Sequence, residues 1–286
     1  MLTSLMGLHF EWVMQQLYFH AYSFSQFCEV LEKESGVSCS EESLQFILQE
    51  QQERSQLMVK PILTDVQRQH WEQYGYLKLP GILSDAQCAD ARKAIWDFLD
   101  ADEAVPDSWY KPHSGKKGLM LTLSHHRAFN VVRQSAYLHQ VFCELYDSTS
   151  IFPLIDKCSF NPPETAAYRF AGSSLHWDTS LVQPIPLQIQ GLVYLNATAS
   201  GEGAFSCVPG FHHTMQQWLT SLSKDAKPRE SLQHLKSVEI NGQAGDFILW
   251  HQALPHAATP NRGKQPRLVQ YFTYLPDKQT DFREWI

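Results

Sequence analysis

The chain has 286 residues, 43% of them hydrophobic and 12% aromatic, enough for a sizeable core in one large β-rich domain with an accessory segment, or in two small domains. Its net charge is −7 and no run of Lys or Arg occurs, which argues against a nucleic-acid surface. Six scattered cysteines (Cys28, Cys39, Cys88, Cys143, Cys158 and Cys207) without CxxC pairs argue for reduced thiols in a cytoplasmic setting, and neither a signal peptide nor a membrane span is expected.

Residues 1–58 read as a helical extension. Phe10, Val13, Met14, Leu17 and Tyr18 recur at helical spacing, Phe24, Phe27, Val30 and Leu31 continue the run, and Gly36 ends it. Ser38 to Glu41 offers a capping box for a second helix, Glu41 to about Arg54, with Leu44, Ile47 and Leu48 on one face. These helices either pack outside a main domain or turn an apolar face to a homodimer mate or a carrier domain.

Pro61 opens the main domain, residues 61–286. Thr64 to Gln67 caps a helix through about Gln73, Gly75 breaks it, and Tyr76 to Leu79 forms a short strand. Ser84 to Gln87 caps another helix to about Leu99, with Cys88, Ala91, Ile95 and Leu99 as a buried stripe. Residues 101–127 are loop-rich, as a lid would be. From Ile151 short strands dominate, separated by Pro- and Gly-rich turns and interrupted by helical inserts near Met215 to Leu222 and Glu230 to Leu235. The pattern predicts a mainly β fold with flanking helices, built on a double-stranded β-helix (jelly-roll, cupin-like) core.

His176-Trp177-Asp178 places a histidine and a carboxylate at i and i+2, on one side of a strand, with Trp177 turned away. A jelly roll brings the ends of non-adjacent strands to one mouth, so His256 can join them across 80 residues of sequence. Two imidazoles and one carboxylate leave half an octahedron open, an arrangement that suits Fe(II). His251 lies five residues before His256, on the opposite face of a regular strand, and is expected in the core or supporting the ligands. His212 and His213 follow a Pro-Gly turn, and His125-His126 reads as loop polarity.

Several segments resemble the phytanoyl-CoA dioxygenase-like family of Fe(II)/2-oxoglutarate oxygenases. They are Gly245-Asp246 with the apolar run to His256, Asn261 and Arg267 beyond it, Trp71 to Ser84, and Ser200 to His213, where Phe211 replaces the usual serine. The likeness covers roughly residues 61–276. It implies that His176, Asp178 and His256 hold Fe(II), and that Arg267 binds the distal carboxylate of 2-oxoglutarate, as a planar and permanently charged fork can. Asn161 falls where relatives carry a 2-oxoglutarate contact, although it also reads as a turn residue before Pro162-Pro163. Thr259 offers a hydroxyl near the place where relatives keep one, at this chain's Ala258. Trp177, Gln190 and Phe211, with Gln188 and Trp250, are expected to line the substrate pocket, and Tyr168, Arg169 and Lys116-Lys117 to offer it charge.

Related halogenases carry a small residue where this chain has Asp178, so the resemblance implies hydroxylation. A small or medium-sized organic molecule, in secondary metabolism, would be oxidised with O₂ on the iron while 2-oxoglutarate yields succinate and CO₂. Two other readings stand beside it: a catalytically silent jelly roll binding a partner through its N-terminal helices, and a zinc or manganese cupin, for which Arg267 has no purpose.

Overall fold

The computed structural model describes residues 1–277 and 283–285, so the expected domain end at residue 286 lies outside the described residues. Among the described residues the strands are, in chain order, β1 Tyr76–Leu79, β2 Lys116–Lys117, β3 Met120–Leu121, β4 Ile151–Leu154, β5 Cys158–Asn161, β6 Ile189–Tyr194, β7 Phe205–Cys207, β8 Val238–Ile240, β9 Phe247–His251, β10 His256–Ala258, β11 Arg267–Tyr271 and β12 Thr273–Pro276. The chain divides into two compact units. One comprises Met1–Ile62, Ser124–Asp156 and the described part of 272–280; the other comprises Leu63–Leu123, Lys157–Tyr271 and the described residues after 280. Residues 124–156, placed by sequence in the main domain, thus belong with the N-terminal helices. No helix among the described residues is long and apolar enough to cross a membrane.

In the first unit, the single helical run expected from Phe10 to Leu31 is two helices, Phe10–Phe19 and Phe24–Ser35. Ser23 restarts the helix because its hydroxyl accepts from the Gln26 N–H while the Gln26 amide accepts from the Ser23 N–H. Ser40, not Ser38, caps the next helix, Glu41–Ser55. Phe27, Leu31, Leu44 and Ile47 meet Met6, Leu8 and Val13 in one apolar cluster. A further helix, Ala136–Tyr146, capped by Ser135, buries Leu138, Val141 and Phe142 at helical spacing. In the same unit β4 pairs with β12.

The second unit is the double-stranded β-helix. Its larger sheet runs β1-β9-β6-β11-β5-β3-β2 and its smaller sheet β10-β7-β8, with every pairing antiparallel. Reciprocal capping boxes open the helices Asp65–Tyr74 and Asp85–Leu99 as expected, and loss of such a cap costs about 1 kcal/mol. The second of these buries Cys88, Ala91, Ile95 and Leu99, and its Trp96 meets Phe160 of β5 edge-on at 5.4 Å. Phe160 therefore marks the outer face of the larger sheet. By the two-residue period of a strand, Ser159 and Asn161 point inward, as do their cross-strand partners Val269 and Arg267.

Part of the loop-rich stretch 101–127 is built into this sheet, since β3 pairs with β5. The Lys116 ammonium lies 4.8 Å from the Phe160 ring centre, on the outer face, and so does not serve the inner face as expected.

The Gly245-Asp246 pair that opens β9 has a specific physical basis. Gly245 has φ 87°, and a Cβ there would stand 2.0 Å from the Leu83 carbonyl oxygen. The Asp246 carboxylate then accepts from the N–H groups of Gly81 and Gln243, tying the turn to the start of the domain.

Candidate metal and co-substrate site

His176 and His256 are brought face to face by a two-way backbone bond: the N–H of each donates to the carbonyl of the other at 3.0 Å. Their ring centres lie 4.7 Å apart. The Nδ1 of His176 is 2.9 Å from the Ser174 carbonyl, and that of His256 is 3.1 Å from the Leu254 carbonyl. A carbonyl only accepts, so both Nδ1 atoms carry the proton, which leaves each Nε2 to act as a metal ligand.

Asp178 completes the group. Its Oδ1 is 3.6 Å from His176 Nε2 and its Oδ2 is 3.2 Å from His256 Nε2, and the ligand atoms of all three residues lie within 4.8 Å of one another. Adjacent ligands of an octahedral ion at about 2.1 Å stand about 3 Å apart, so the donor set and its spacing fit a divalent cation. His256 is buried and Asp178 half-exposed, which leaves the carboxylate side open to incoming molecules.

Burial pushes the Asp178 carboxyl up, but the bonds and charges supplied by His256, Gln190 and His176 outweigh it and hold the group below the usual carboxylate range. Burial, with the neighbouring His256 charge, lowers His176, which keeps its imidazole neutral and available as a ligand.

Arg267 opens β11 directly opposite Asn161 and is 2% exposed. Its Nε and Nη1 have no partner, nor do the nearby buried acceptors Asn161 Oδ1 and Ser159 Oγ. A buried guanidinium is stable only when paired, so the two Arg267 nitrogens call for an anionic ligand, and the carboxylate of 2-oxoglutarate fits them; the Ser159 hydroxyl can add a donor, whereas Asn161 Oδ1 can only accept. Gly203 has φ 84°, and a Cβ there would meet Asn161 Nδ2 at 2.5 Å, so the glycine makes room for that amide. Ser159 was missed in the sequence, although it sits two residues before Asn161 and must share its face.

Other expected contacts lie elsewhere. Thr259 donates its hydroxyl to the Ala204 carbonyl at 3.0 Å, so its proton is not available to a carboxylate. Trp177 and Phe211 are 2% and 6% exposed and pack on each other and on Trp218, so they form core rather than pocket wall. The Trp177 indole donates to the Ala253 carbonyl. Gln190 does reach the site, but through Asp178: its Nε2 donates to Asp178 Oδ2 at 2.9 Å. Arg229, which carried no sequence signal, donates to the carbonyls of Trp177 and Thr179 at 3.0 and 2.8 Å, gripping the backbone on both sides of Asp178.

His251 stands apart from the metal group, stacked on His212 at 5.3 Å, with its Nδ1 accepting from the Ala253 N–H. Burial, then the charges of His212 and His213, lower its imidazole from 6.5 to about 4. The unfolded chain takes up this proton near pH 6.5 and the folded chain only near pH 4, so the contribution of His251 is complete above pH 6.5 and lost as pH falls to 4. We expect up to about 3 kcal/mol from this one group. In urea unfolding, His251→Asn should lose less stability than the parent between pH 7 and pH 5; an equal loss would refute the assignment.

The model of the phytanoyl-CoA dioxygenase (PhyH) family matches residues 71–269. A methylphosphonate hydroxylase of Gimesia maris is 25% identical over 230 residues, which cover 78% of this chain and 84% of that protein. Among solved structures, AviO1 from Streptomyces viridochromogenes superposes with a TM-score of 0.54 at 18% identity, over 78% of this chain and 99% of its own. HygX from Streptomyces hygroscopicus, solved with nickel and 2-oxoglutarate bound, gives 0.55 at 16% identity, over 78% and 90%. These structural likenesses show a shared fold. With the family match spanning all three residues of the metal group and the start of β11, the chain belongs to the phytanoyl-CoA dioxygenase family and is a non-haem Fe(II)/2-oxoglutarate-dependent oxygenase.

Proposed function

We propose that the protein hydroxylates a small or medium-sized organic metabolite, with O₂ consumed and 2-oxoglutarate converted to succinate and CO₂. The observation that carries this reading is the three-ligand group His176, Asp178 and His256 in the same β-helix as an unpartnered buried guanidinium, Arg267. Bound Fe(II), with 2-oxoglutarate and O₂, supplies the oxidising power. The chain's own residues position. His176 and His256 present Nε2 atoms whose tautomer their Nδ1 bonds fix, Asp178 supplies the negative charge, and Arg267 with the Ser159 hydroxyl receives the far carboxylate of the co-substrate.

A small-molecule substrate is supported by the methylphosphonate hydroxylase relative and by HygX, which has also been solved with hygromycin B. SnoK, a carbocyclase of nogalamycin biosynthesis with a TM-score of 0.53, favours a place in secondary metabolism. Six free thiols support a reducing, cytoplasmic setting. Phe10, Tyr18, Phe19 and Phe24 are exposed on the N-terminal helices, which supports their reading as a docking face for a homodimer mate or carrier domain.

The test is succinate formation by purified protein given Fe(II), 2-oxoglutarate and air, with and without pools of candidate metabolites. Succinate above a metal-free control, stimulated by one pool, is expected. No turnover, with no weak visible band from the Fe(II) chelate of 2-oxoglutarate, would overturn the reading in favour of a silent binding protein.

A further inference from the structure

We infer that Gln190 is a positioning residue that locks the rotation of the Asp178 carboxylate, so that this ligand takes one coordination position and not two. The inference rests on the metal-site reading above. Gln190 lies on the inner face of β6, in line with Leu192 and Tyr194, where an amide is costly unless both of its ends are satisfied. Both ends are. Trp250, its cross-strand partner on β9, donates its indole N–H to Gln190 Oε1 at 2.9 Å, and Gln190 Nε2 donates to Asp178 Oδ2 at 2.9 Å.

The direction of this chain of bonds is not ambiguous. An indole N–H can only donate, so it holds the amide oxygen toward itself and forces the NH₂ toward Asp178. Trp250 is itself 2% exposed, with its ring 4.3 Å from that of Phe205, so the anchor is held by core packing. The result is a donor aimed at one oxygen of a half-exposed carboxylate, the same Oδ2 that faces His256 Nε2 at 3.2 Å.

Carboxylate rotation matters because, around a bound ion, two histidines and a one-oxygen carboxylate would leave room for both the chelating co-substrate and O₂. A carboxylate that gripped through both oxygens would take part of that room. Gln190 prevents that turn by engaging Oδ2. Groups that hold metal ligands in this way are typically worth about 10- to 100-fold in affinity or activity when removed.

The test uses the full-length protein and two readouts other than turnover. Co(II) is titrated into the metal-free protein and its visible spectrum recorded, and 2-oxoglutarate is titrated into the anaerobic Fe(II) protein and followed by the chelate band. For Gln190→Met, which keeps the length but not the bonds, we expect an altered Co(II) spectrum and about a 10- to 100-fold higher 2-oxoglutarate requirement. Trp250→Phe leaves Gln190 in place but lets its amide turn, and should move both readouts the same way by a smaller factor. The double variant should be no worse than Gln190→Met, because both act through one chain of bonds. A wild-type Co(II) spectrum and 2-oxoglutarate affinity in Gln190→Met would overturn the inference and leave the metal-site reading standing. No Co(II) bands from the parent, or bands unchanged in Asp178→Ala, would overturn both.

Discussion

Asp178→Ala is expected to reduce succinate formation to the metal-free background while leaving the protein folded. The two remaining ligands are neutral imidazoles, and the only negative charge in the group belongs to Asp178. An ion held by His176 and His256 alone loses both a donor and the charge that offsets its own. Little else depends on this side chain, because the carboxylate is half-exposed and its partners are the other members of the site. The backbone around it is held independently by Arg229. The expected result is therefore a large loss of metal affinity, read by Co(II) titration, with a melting temperature of the metal-free protein close to the parent's. Retained turnover in Asp178→Ala would refute its role as a ligand, and a collapsed melting curve would refute the claim that the site is separable from the fold.

Arg267→Ala should have the next largest effect, and its sign differs between the empty and the loaded protein. Without a ligand, Arg267 is a buried cation with two unpartnered nitrogens, and such a group is a burden on the fold. Its removal should leave the stability of the empty protein unchanged or raised. With 2-oxoglutarate present, the lost charge-assisted pair is worth about 3–5 kcal/mol, or roughly a 10²- to 10⁴-fold rise in the co-substrate requirement. The thermal stabilisation that 2-oxoglutarate gives the metal-loaded parent should vanish over the same concentration range. Arg267→Lys keeps the charge without the planar fork and should fall between the two. An unchanged 2-oxoglutarate requirement in Arg267→Ala would assign the co-substrate to another cation.

Much of this was legible in the sequence because it depends on neighbours along the chain. The capping boxes at Thr64–Gln67 and Ser84–Gln87 need only residues three apart, and the helices they open end within a residue of where the pattern placed them. His176 and Asp178 come to one side as their two-residue spacing suggests, although His176 forms only an isolated bridge to His256 and no strand runs through 176–178. Local signals failed where a tertiary partner set the outcome. The run Phe10 to Leu31 looks continuous by hydrophobic spacing, yet Ser23 finds a better use as a cap than as a helix interior residue. Thr259 looked like a free hydroxyl, and only the pairing of β10 with β7 brings the Ala204 carbonyl beside it. Trp177 and Phe211 looked like pocket aromatics, and their mutual packing with Trp218 withdraws them into the core.

By itself the sequence determined the family, the jelly-roll class, the three metal ligands to be tested and the arginine for the co-substrate, because each follows from residue type, spacing and order. Only the tertiary structure decided which polar groups serve those residues. Gln190 is 12 residues from Asp178 and 60 from Trp250, and they join only through the register of β6 on β9, where a slip of one residue would turn the amide to the opposite face. The same holds for Asn161 and Arg267, set opposite each other by β5 and β11 across 106 residues of chain. Hydrogen bonds reach about 3 Å, and which groups come that close is a property of sheet register and not of sequence distance.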